Sequence, residues 1–188
     1  MTQPEVVRRI RERAVDLGFD ASCSDTAGRL LTTLAASKPD GRLLELGTGA
    51  GLGTAYLLEG MTTSATLTTV ELEGSLSTMA REELDDPRVE WVVGDGGAWL
   101  DAQTGAGGGY DLVFADTWPG KFTHLEQCLR LVAPGGWYVV DDLQRQSTWP
   151  AHHAAAVDQL VDVLTARPGW RSCRLDVGTG IMVCVRAS

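Results

Sequence analysis

Five short apolar runs, separated by segments of helical length, constrain the fold of this chain more than any other feature. Each run has the length of a buried strand, and strands buried on both faces of a parallel sheet read as continuous hydrophobic stretches. The segments 51–60, 74–85 and 120–131 are long enough to be crossover helices, which parallel strands require. The runs are RLLELG, ATLTTVEL, RVEWVVG, YDLVFAD and GWYVVDD, at residues 42–47, 65–72, 88–94, 110–116 and 136–142.

The two ends of the chain complete this pattern. Apolar residues at helical spacing predict one helix over residues 4–17 and a second from Ser24 or Asp25 to Ala36. A helix from Ala151 to Ala166 is expected before two last apolar runs, WRSCRLDV and GIMVCVR. The link between these runs is short and contains glycine, which favours an antiparallel hairpin.

These elements predict an α/β fold: a Rossmann-like, doubly wound, mostly parallel sheet of seven strands with a C-terminal antiparallel hairpin. A chain of 188 residues has the ordinary length of one domain. We therefore expect a single domain over 1–188, with N-terminal helices in 1–38 and the sheet core in 41–188.

Composition limits the partners of such a domain. Lys and Arg number 16 against 25 Asp and Glu, which gives a formal net charge of −9. This acidity argues against nucleic acid or an anionic membrane as the main partner, because both require clustered positive charge. No stretch approaches the roughly 20 apolar residues of a membrane span, and the first residues lack a signal-peptide core. A cytoplasmic protein with four reduced, mostly buried cysteines is expected.

The first predicted strand ends in a glycine loop, Glu45-Leu46-Gly47-Thr48-Gly49-Ala50-Gly51. Alternating glycines let the backbone turn tightly and present amides of a helix N-terminus to a ligand. A dinucleotide fingerprint would need its third glycine at position 52 or 54, where this chain has Leu52 and Thr54. An NAD(P)-dependent oxidoreductase on a similar sheet is therefore the disfavoured alternative. A carboxylate at Glu45 suits an ammonium-bearing ligand better than a pyrophosphate.

Acidic side chains end the next strands as well. Glu71 lies about twenty residues past the glycine loop, where a carboxylate can accept both ribose hydroxyls; alone, it reads equally well as a solvent-facing residue. The third strand ends in Gly94-Asp95-Gly96-Gly97, where Asp95 could accept from an adenine amino group or cap a helix. In such a sheet, ligands bind outside the carboxyl ends of the strands, so these residues are predicted to face one site.

The ordered set of strand ends resembles the class I S-adenosylmethionine-dependent methyltransferases, over roughly residues 22 to 186. Within that superfamily the chain is most similar to the catechol and caffeoyl-coenzyme A type of O-methyltransferase. This likeness rests on ELGTGAG, VEL, YDLVFAD, LVAPGGWYVVDD and SDTAGRLL. It implies S-adenosylmethionine as cofactor and in-line transfer of its methyl group to an oxygen of a small-molecule acceptor.

The resemblance also implies a set of cofactor-binding residues. Gly47, Thr48 and Gly49 would line the methionine part, and Glu71 would hold the ribose. Trp118 would stack on the adenine edge, form a wall of the acceptor pocket or belong to the core. The full predicted set is Ser24, Glu45, Gly47, Thr48, Gly49, Glu71, Leu72, Asp95, Gly96, Asp116 and Trp118.

Three aspartates are candidate metal ligands. Asp116, Asp141 and Asp142 end two strands that such a sheet places side by side, so their carboxylates could converge on Mg²⁺ or another divalent cation. The resembled family typically has Asn at the position of Asp142. In the alternative, Asp116 contacts the ammonium of the cofactor while Asp141 and Asp142 cap the following loop.

Lys121 is the candidate catalytic base, with Asp116 beside it as the second catalytic candidate. A lysine can be tuned to lose its proton whereas an arginine cannot, and the chain has only one other lysine, Lys38. The resembled family places its lysine three residues after the strand-end Asp, but here DTWPGK places it five residues after. The alternative is a surface lysine at the start of a helix over 121–131.

Two further questions are open at the level of sequence. A non-catalytic module that only binds S-adenosylmethionine would carry the same strand-end residues. The amphipathic N-terminal helix could dock on its own domain or on a second subunit, so a homodimer is also open.

Overall fold

Seven strands form one sheet in the computed structural model, which describes residues 5–19, 23–103, 105, 109–144 and 151–188, with backbone alone at 151 and 152. The strands are β1 (Arg42–Leu46), β2 (Thr66–Glu71), β3 (Val89–Val93), β4 (Tyr110–Ala115), β5 (Val132–Val140), β6 (Trp170–Leu175) and β7 (Ile181–Arg186). The helices are α1 (Glu5–Asp16), α2 (Asp25–Ala36), α3 (Leu52–Gly60), α4 (Gly74–Leu84), α5 (Gly96–Ala102), α6 (Leu125–Leu131) and α7 (Ala151–Ala166).

The strand order is β3-β2-β1-β4-β5-β7-β6. All neighbours pair in parallel except β7, which is antiparallel to both β5 and β6. The order reverses between β1 and β4, and ligands of doubly wound sheets bind at such a reversal. The predicted fold class, with its C-terminal antiparallel hairpin, is confirmed.

Two apolar cores cover the two faces of the sheet. On β4, Leu112 and Phe114 pack into the core beneath α1, α2 and α3, whereas Val113 and Ala115 pack into the core beneath α5, α6 and α7. Successive side chains of a strand point to opposite faces, so a strand buried on both sides must be apolar at every position. This is why the runs in the sequence are continuous.

The chain departs from the predicted elements around residues 119–124. A turn closed by a bridge between Pro119 and Thr123 occupies the place where the helix over 120–131 was expected, and α6 begins only at Leu125. Gly120 and His124 have φ angles of 87° and 54°, a left-handed conformation that a helix cannot contain. The predicted helix was therefore wrong over its first turn.

Helix α1 docks on its own domain. Val7, Ile10 and Ala14 form its buried stripe, and Arg9 and Arg13 make ion pairs to α4, among them Arg13 Nη1 to Glu83 Oε1 at 2.8 Å. The four cysteines are free thiols, and Cys173 is the exposed one. Among the described residues, no helix has both the length and the apolar composition needed to cross a membrane.

Candidate active site

A cavity of about 200 Å³ lies at the carboxyl ends of β1, β2 and β4, where the strand order reverses. Half of its lining was predicted from the sequence: Glu45, Gly47, Thr48, Gly49, Glu71 and Asp116. The other half was missed: Phe19, Cys23, Ala50, Leu52, Gly53 and Thr117.

The glycine loop bends tightly between β1 and α3. Gly47, Gly49 and Gly51 have φ angles of 94°, 52° and 92°, the left-handed region that glycine adopts without strain. The loop also passes close to the end of β4, because a Cβ on Gly47 would stand 3.0 Å from the carbonyl oxygen of Asp116. Leu52 and Gly53, the first residues of α3, also line the cavity, and the amides of a helix N-terminus can receive a negatively charged group.

Glu45 is fully buried at the end of β1, and one of its oxygens accepts two hydroxyl hydrogen bonds. Thr54 Oγ1 donates to Glu45 Oε2 at 2.5 Å and Thr69 Oγ1 at 2.7 Å. The other oxygen, Oε1, is buried without a hydrogen-bond partner among the described residues. It lies against Gly53, where a Cβ would stand 2.3 Å from it. Burial raises the pKa of Glu45 to about 7.

Glu71 ties the glycine loop to the start of α4. Its Oε2 accepts from the amide of Gly49 at 2.7 Å, and its Oε1 accepts from the amide of Glu73 at 2.9 Å. Glu71 is therefore not simply a solvent-facing residue, because its half-buried carboxylate holds the glycine loop. Leu72, the next residue, is 61% exposed and lies outside the cavity lining.

The predicted adenine-side residues lie outside the cavity. Asp95 is exposed and caps α5, accepting from the amide of Ala98 at 2.8 Å, which is the helix-capping alternative. Gly96 packs against Pro119, whose Cβ would stand 3.2 Å from a Cβ at position 96. Trp118 is 44% exposed and so is not a core residue.

Trp118 belongs instead to a surface group of three rings. Its ring centroid lies 4.8 Å from that of Phe122 and 5.6 Å from that of His153, the latter on α7. The rings of Phe122 and His153 are 5.3 Å apart. An adenine edge or an acceptor wall therefore remain the two roles open to Trp118.

Ser24 caps α2 and does not line the cavity. Its Oγ accepts from the amide of Ala27 at 3.2 Å, and it lies against Gly178 in the β6–β7 turn. The neighbouring residues Phe19 and Cys23 contribute to the lining instead. Their positions carry no local signal in the sequence, because they reach the site only through the docking of α1 and α2.

Lys121 is buried, with only 4% of its side chain exposed, so the surface alternative was wrong. Its Nζ lies 4.0 Å from Asp116 Oδ1. Lys121 follows Gly120, whose φ is 87°, and so lies in the turn before α6 and not in a helix. Burial raises the pKa of Asp116 well above its usual range, although Lys121 opposes this rise.

Asp141 and Asp142 hold the end of β5. Asp141 Oδ1 accepts from the hydroxyl of Thr179 at 2.6 Å and from the amide of Asp142 at 2.8 Å. Burial raises the pKa of Asp141. These contacts match the loop-capping alternative for this pair.

The predicted metal triad is not assembled in this structure. Within the described part of the chain, which includes Asp116, Asp141 and Asp142, no three His, Cys, Asp or Glu side chains come together in a group that could hold a metal ion. Asp116 Oδ1 lies 4.0 Å from Lys121 Nζ, and one oxygen of Asp141 already accepts two hydrogen bonds. The donor set does not fit a divalent cation as arranged.

The fold and the cavity define a Rossmann-like methyltransferase domain, and comparisons with known proteins agree. A family model described as a methyltransferase domain matches residues 44–143. A relative from Mycolicibacterium vanbaalenii, named provisionally as an O-methyltransferase, is 34% identical over 146 residues. The match covers 74% of this chain and 63% of the relative, so the chain spans less than two thirds of that protein's length.

Solved structures share the whole architecture. The O-methyltransferase TomG from Streptomyces achromogenes, crystallised with S-adenosylmethionine, is 23% identical to this chain, with a TM-score of 0.86. The match covers 100% of this chain and 92% of the TomG chain. A Staphylococcus aureus protein named provisionally as a caffeoyl-coenzyme A O-methyltransferase is 16% identical, with a TM-score of 0.82 and coverages of 98% and 94%. The chain belongs to the methyltransferase domain family, and the resemblance seen in its strand ends is confirmed.

Proposed function

We propose that this chain transfers the methyl group of S-adenosylmethionine to an oxygen of a small-molecule acceptor. The observation that carries the proposal is the cavity at the strand reversal, where the buried carboxylate of Glu45, the glycine loop and Glu71 meet. A cavity with this acidic lining suits a cationic sulfonium cofactor better than a phosphate-rich one. Membership of the methyltransferase domain family supports the same reading.

Each part of the cofactor has a proposed set of neighbours. Glu45 faces the ammonium of the methionine part, and Gly47, Thr48 and Gly49 line that part. Glu71 receives the ribose hydroxyls, because each carboxylate oxygen has a second lone pair beyond the amide it already accepts. At the adenine end and the rim of the cavity, the residues proposed as neighbours of the cofactor are Ser24, Leu72, Asp95, Gly96 and Trp118.

Methyl transfer proceeds by in-line displacement in this proposal. A lone pair of the acceptor oxygen forms the new C–O bond while the S–C bond breaks and its electron pair returns to sulfur, leaving a thioether. The acceptor hydroxyl gives its proton to Lys121, which must be the neutral amine at that step. Asp116, 4.0 Å from Lys121 Nζ, orients that amine. No step passes through a metal ion.

The experiment that tests the proposal measures cofactor binding and turnover separately. Calorimetry should show S-adenosylhomocysteine binding and no comparable binding of NAD. In Lys121→Met, methyl transfer to hydroxylated aromatic acceptors should fall by about 10²–10⁴-fold, the usual contribution of a general base, while S-adenosylhomocysteine affinity is kept. Turnover of the unaltered protein should also persist in excess chelator.

Lys38→Met is the matched control, because Lys38 is the other lysine and its Nζ donates to the carbonyl of Gly135, away from the cavity. This variant should keep full turnover. If the protein bound NAD but not S-adenosylhomocysteine, the oxidoreductase alternative would be favoured instead. Binding without turnover on any acceptor would favour the non-catalytic module, and chelator-sensitive activity restored by Mg²⁺ would restore the metal hypothesis.

A cytoplasmic location remains a prediction, and the absence of a nucleic-acid partner remains a prediction from the acidic composition. The homodimer remains a prediction as well, and light scattering of the purified protein measures it directly.

A further inference from the structure

A buried chain of hydroxyl groups connects the glycine loop to Glu45. Thr69 donates its single hydroxyl proton to Glu45 Oε2, so the oxygen of Thr69 is left to accept from Thr48, whose Oγ1 lies 2.5 Å away. Thr54, on α3, donates to the same carboxylate oxygen from the other side. All four side chains are buried. One oxygen of Glu45 is therefore held by two donors, while Oε1 has none among the described residues.

Within the described part of the chain, no cationic group is among the causes that shift the pKa of Glu45. The ionisable groups that interact with it are Glu71 on β2, Asp116 on β4 and the thiol of Cys23 before α2. A buried carboxylate without a cationic partner favours its protonated form. Burial and Glu71 raise the pKa of Glu45 to about 7, against the two threonine hydroxyls, which lower it. Before a cation binds, burial therefore favours the protonated form of Glu45.

We infer, resting on the function proposed above, that Glu45 holds a proton in the empty cavity and releases it to solvent when the ammonium of the cofactor arrives, with Thr54 and Thr69 as positioning residues. No bond forms to the cofactor: the carboxylic acid becomes a carboxylate, and the proton leaves to buffer. Because a cation favours the ionised carboxylate, binding lowers the pKa of Glu45. Affinity then rises with pH until the pH exceeds the pKa of the empty protein.

Calorimetric titration with S-adenosylhomocysteine, in buffers of different ionisation enthalpy, counts the protons released. A pKa of about 7 predicts release of about 0.9 proton per ligand at pH 6 and about 0.5 at pH 7. The affinity should be about eightfold tighter at pH 7.5 than at pH 6. Methylthioadenosine, which lacks the ammonium group, should release none.

Variants at Glu45 and at the threonines assign the proton to Glu45 and the positioning to the threonines. Glu45→Gln should release no proton and should bind with an affinity independent of pH between 6 and 7.5. Thr69→Val removes a donor that lowers the pKa of Glu45, so its affinity should fall at pH 7 and recover as the pH is raised. Thr69→Ser keeps the hydroxyl and should behave like the unaltered protein.

Thr68→Val is the matched control, because Thr68 lies on the same strand but its hydroxyl donates to Glu90, 3.0 Å away. It should leave proton release unchanged. The pH-recoverable loss in Thr69→Val separates positioning from mere damage, because a misfolded or loosened site would bind more weakly at every pH. Thr54→Val should repeat the Thr69→Val result from the α3 side.

Three outcomes would overturn the inference. One is binding of S-adenosylhomocysteine without proton release, which leaves the proposed function intact. Another is proton release that survives in Glu45→Gln but disappears in Asp116→Asn. The third is an equal loss of affinity at all pH values in Thr69→Val with no rescue in Thr69→Ser. Absence of S-adenosylhomocysteine binding at any pH would instead contradict the proposed function itself.

Discussion

At the scale of single residues, the carboxylates that end the strands differ in how their charge is compensated. Glu71 accepts hydrogen bonds from two backbone amides and lies partly in solvent. Glu45 is fully buried, and one of its oxygens has no hydrogen-bond partner among the residues that the structure describes. The space for that oxygen comes from Gly53, which has no Cβ to occupy it. Gly53 is not part of a dinucleotide fingerprint, so its role is visible only where it meets Glu45.

The residue-scale prediction concerns Gly53→Ala. In an ordinary helix interior this change stabilises by about 0.5–1 kcal/mol, because alanine loses less conformational freedom on folding. Here the new Cβ would stand 2.3 Å from Glu45 Oε1, so the change should instead lower the free energy of unfolding, by about 1–3 kcal/mol, and weaken S-adenosylhomocysteine binding. Urea denaturation and calorimetry measure the two effects.

Gly74→Ala is the control, since the one described residue that a Cβ there would meet is Val93, at 3.6 Å, an ordinary contact. It should be neutral or stabilising. If both variants were equally stable, the close approach of Gly53 to Glu45 would have no energetic importance.

At the scale of elements, the turn between β4 and α6 decides where Lys121 lies. The hydroxyl of Tyr138, on β5, donates to the carbonyl of Gly120 at 2.5 Å, so the turn is anchored to the strand beneath it. Gly120 itself has a φ of 87°, and a Cβ there would stand 2.4 Å from Leu46 Cδ1. The turn therefore requires glycine for both its conformation and its packing.

The element-scale prediction is that Gly120→Ala destabilises the fold by about 2 kcal/mol or more, because backbone strain adds to the collision with Leu46. Turnover should fall as well, because the same turn carries Lys121. Gly169→Ala is the control: its φ is 77°, but none of the described residues lies within 4 Å of the new Cβ, so only about 1 kcal/mol of strain is expected. Equal losses of stability in the two variants would contradict the packing argument.

At the scale of the whole molecule, the docking of the N-terminal helix α1 positions one wall of the active site. The helix is held by Val7, Ile10 and Ala14 against the core, and the chain continues from it to Phe19. Phe19 lines the cavity and lies over the glycine loop, where a Cβ on Gly49 would stand 2.9 Å from Phe19 Cζ. One wall of the cavity thus depends on the docking of α1.

We therefore expect Ile10→Ala to lower the free energy of unfolding by about 2–4 kcal/mol, as the loss of a fully buried side chain does, and to weaken S-adenosylhomocysteine binding through Phe19. Arg8→Ala, which removes an exposed pair with Glu12 on the same helix, should cost about 0.5 kcal/mol or less and leave binding unchanged. Thermal unfolding and calorimetry compare the two variants. Unchanged binding in a destabilised Ile10→Ala protein would separate α1 from the site.

The sequence by itself determined the order of the elements along the chain, the placement of the site at the carboxyl ends of the strands, and half of the cavity lining. These features follow from local periodicity, strand-end chemistry and a glycine loop, all contained within short segments. Only the tertiary structure decided that Lys121 is buried and that Phe19 and Cys23 reach the cavity. It also shows which hydrogen bonds Asp141 makes at the end of β5.

The physical reason is sequence separation. Glu45 and Thr69 are 24 positions apart, and Asp141 and Thr179 are 38 apart, so no local pattern shows that each pair shares a hydrogen bond. The state of a buried charge depends on every group packed around it, and those groups come from β1, β2, β4, α3 and the segment before α2. The sequence shows that a glutamate ends the strand, but its protonation state depends on the groups that the fold packs around it.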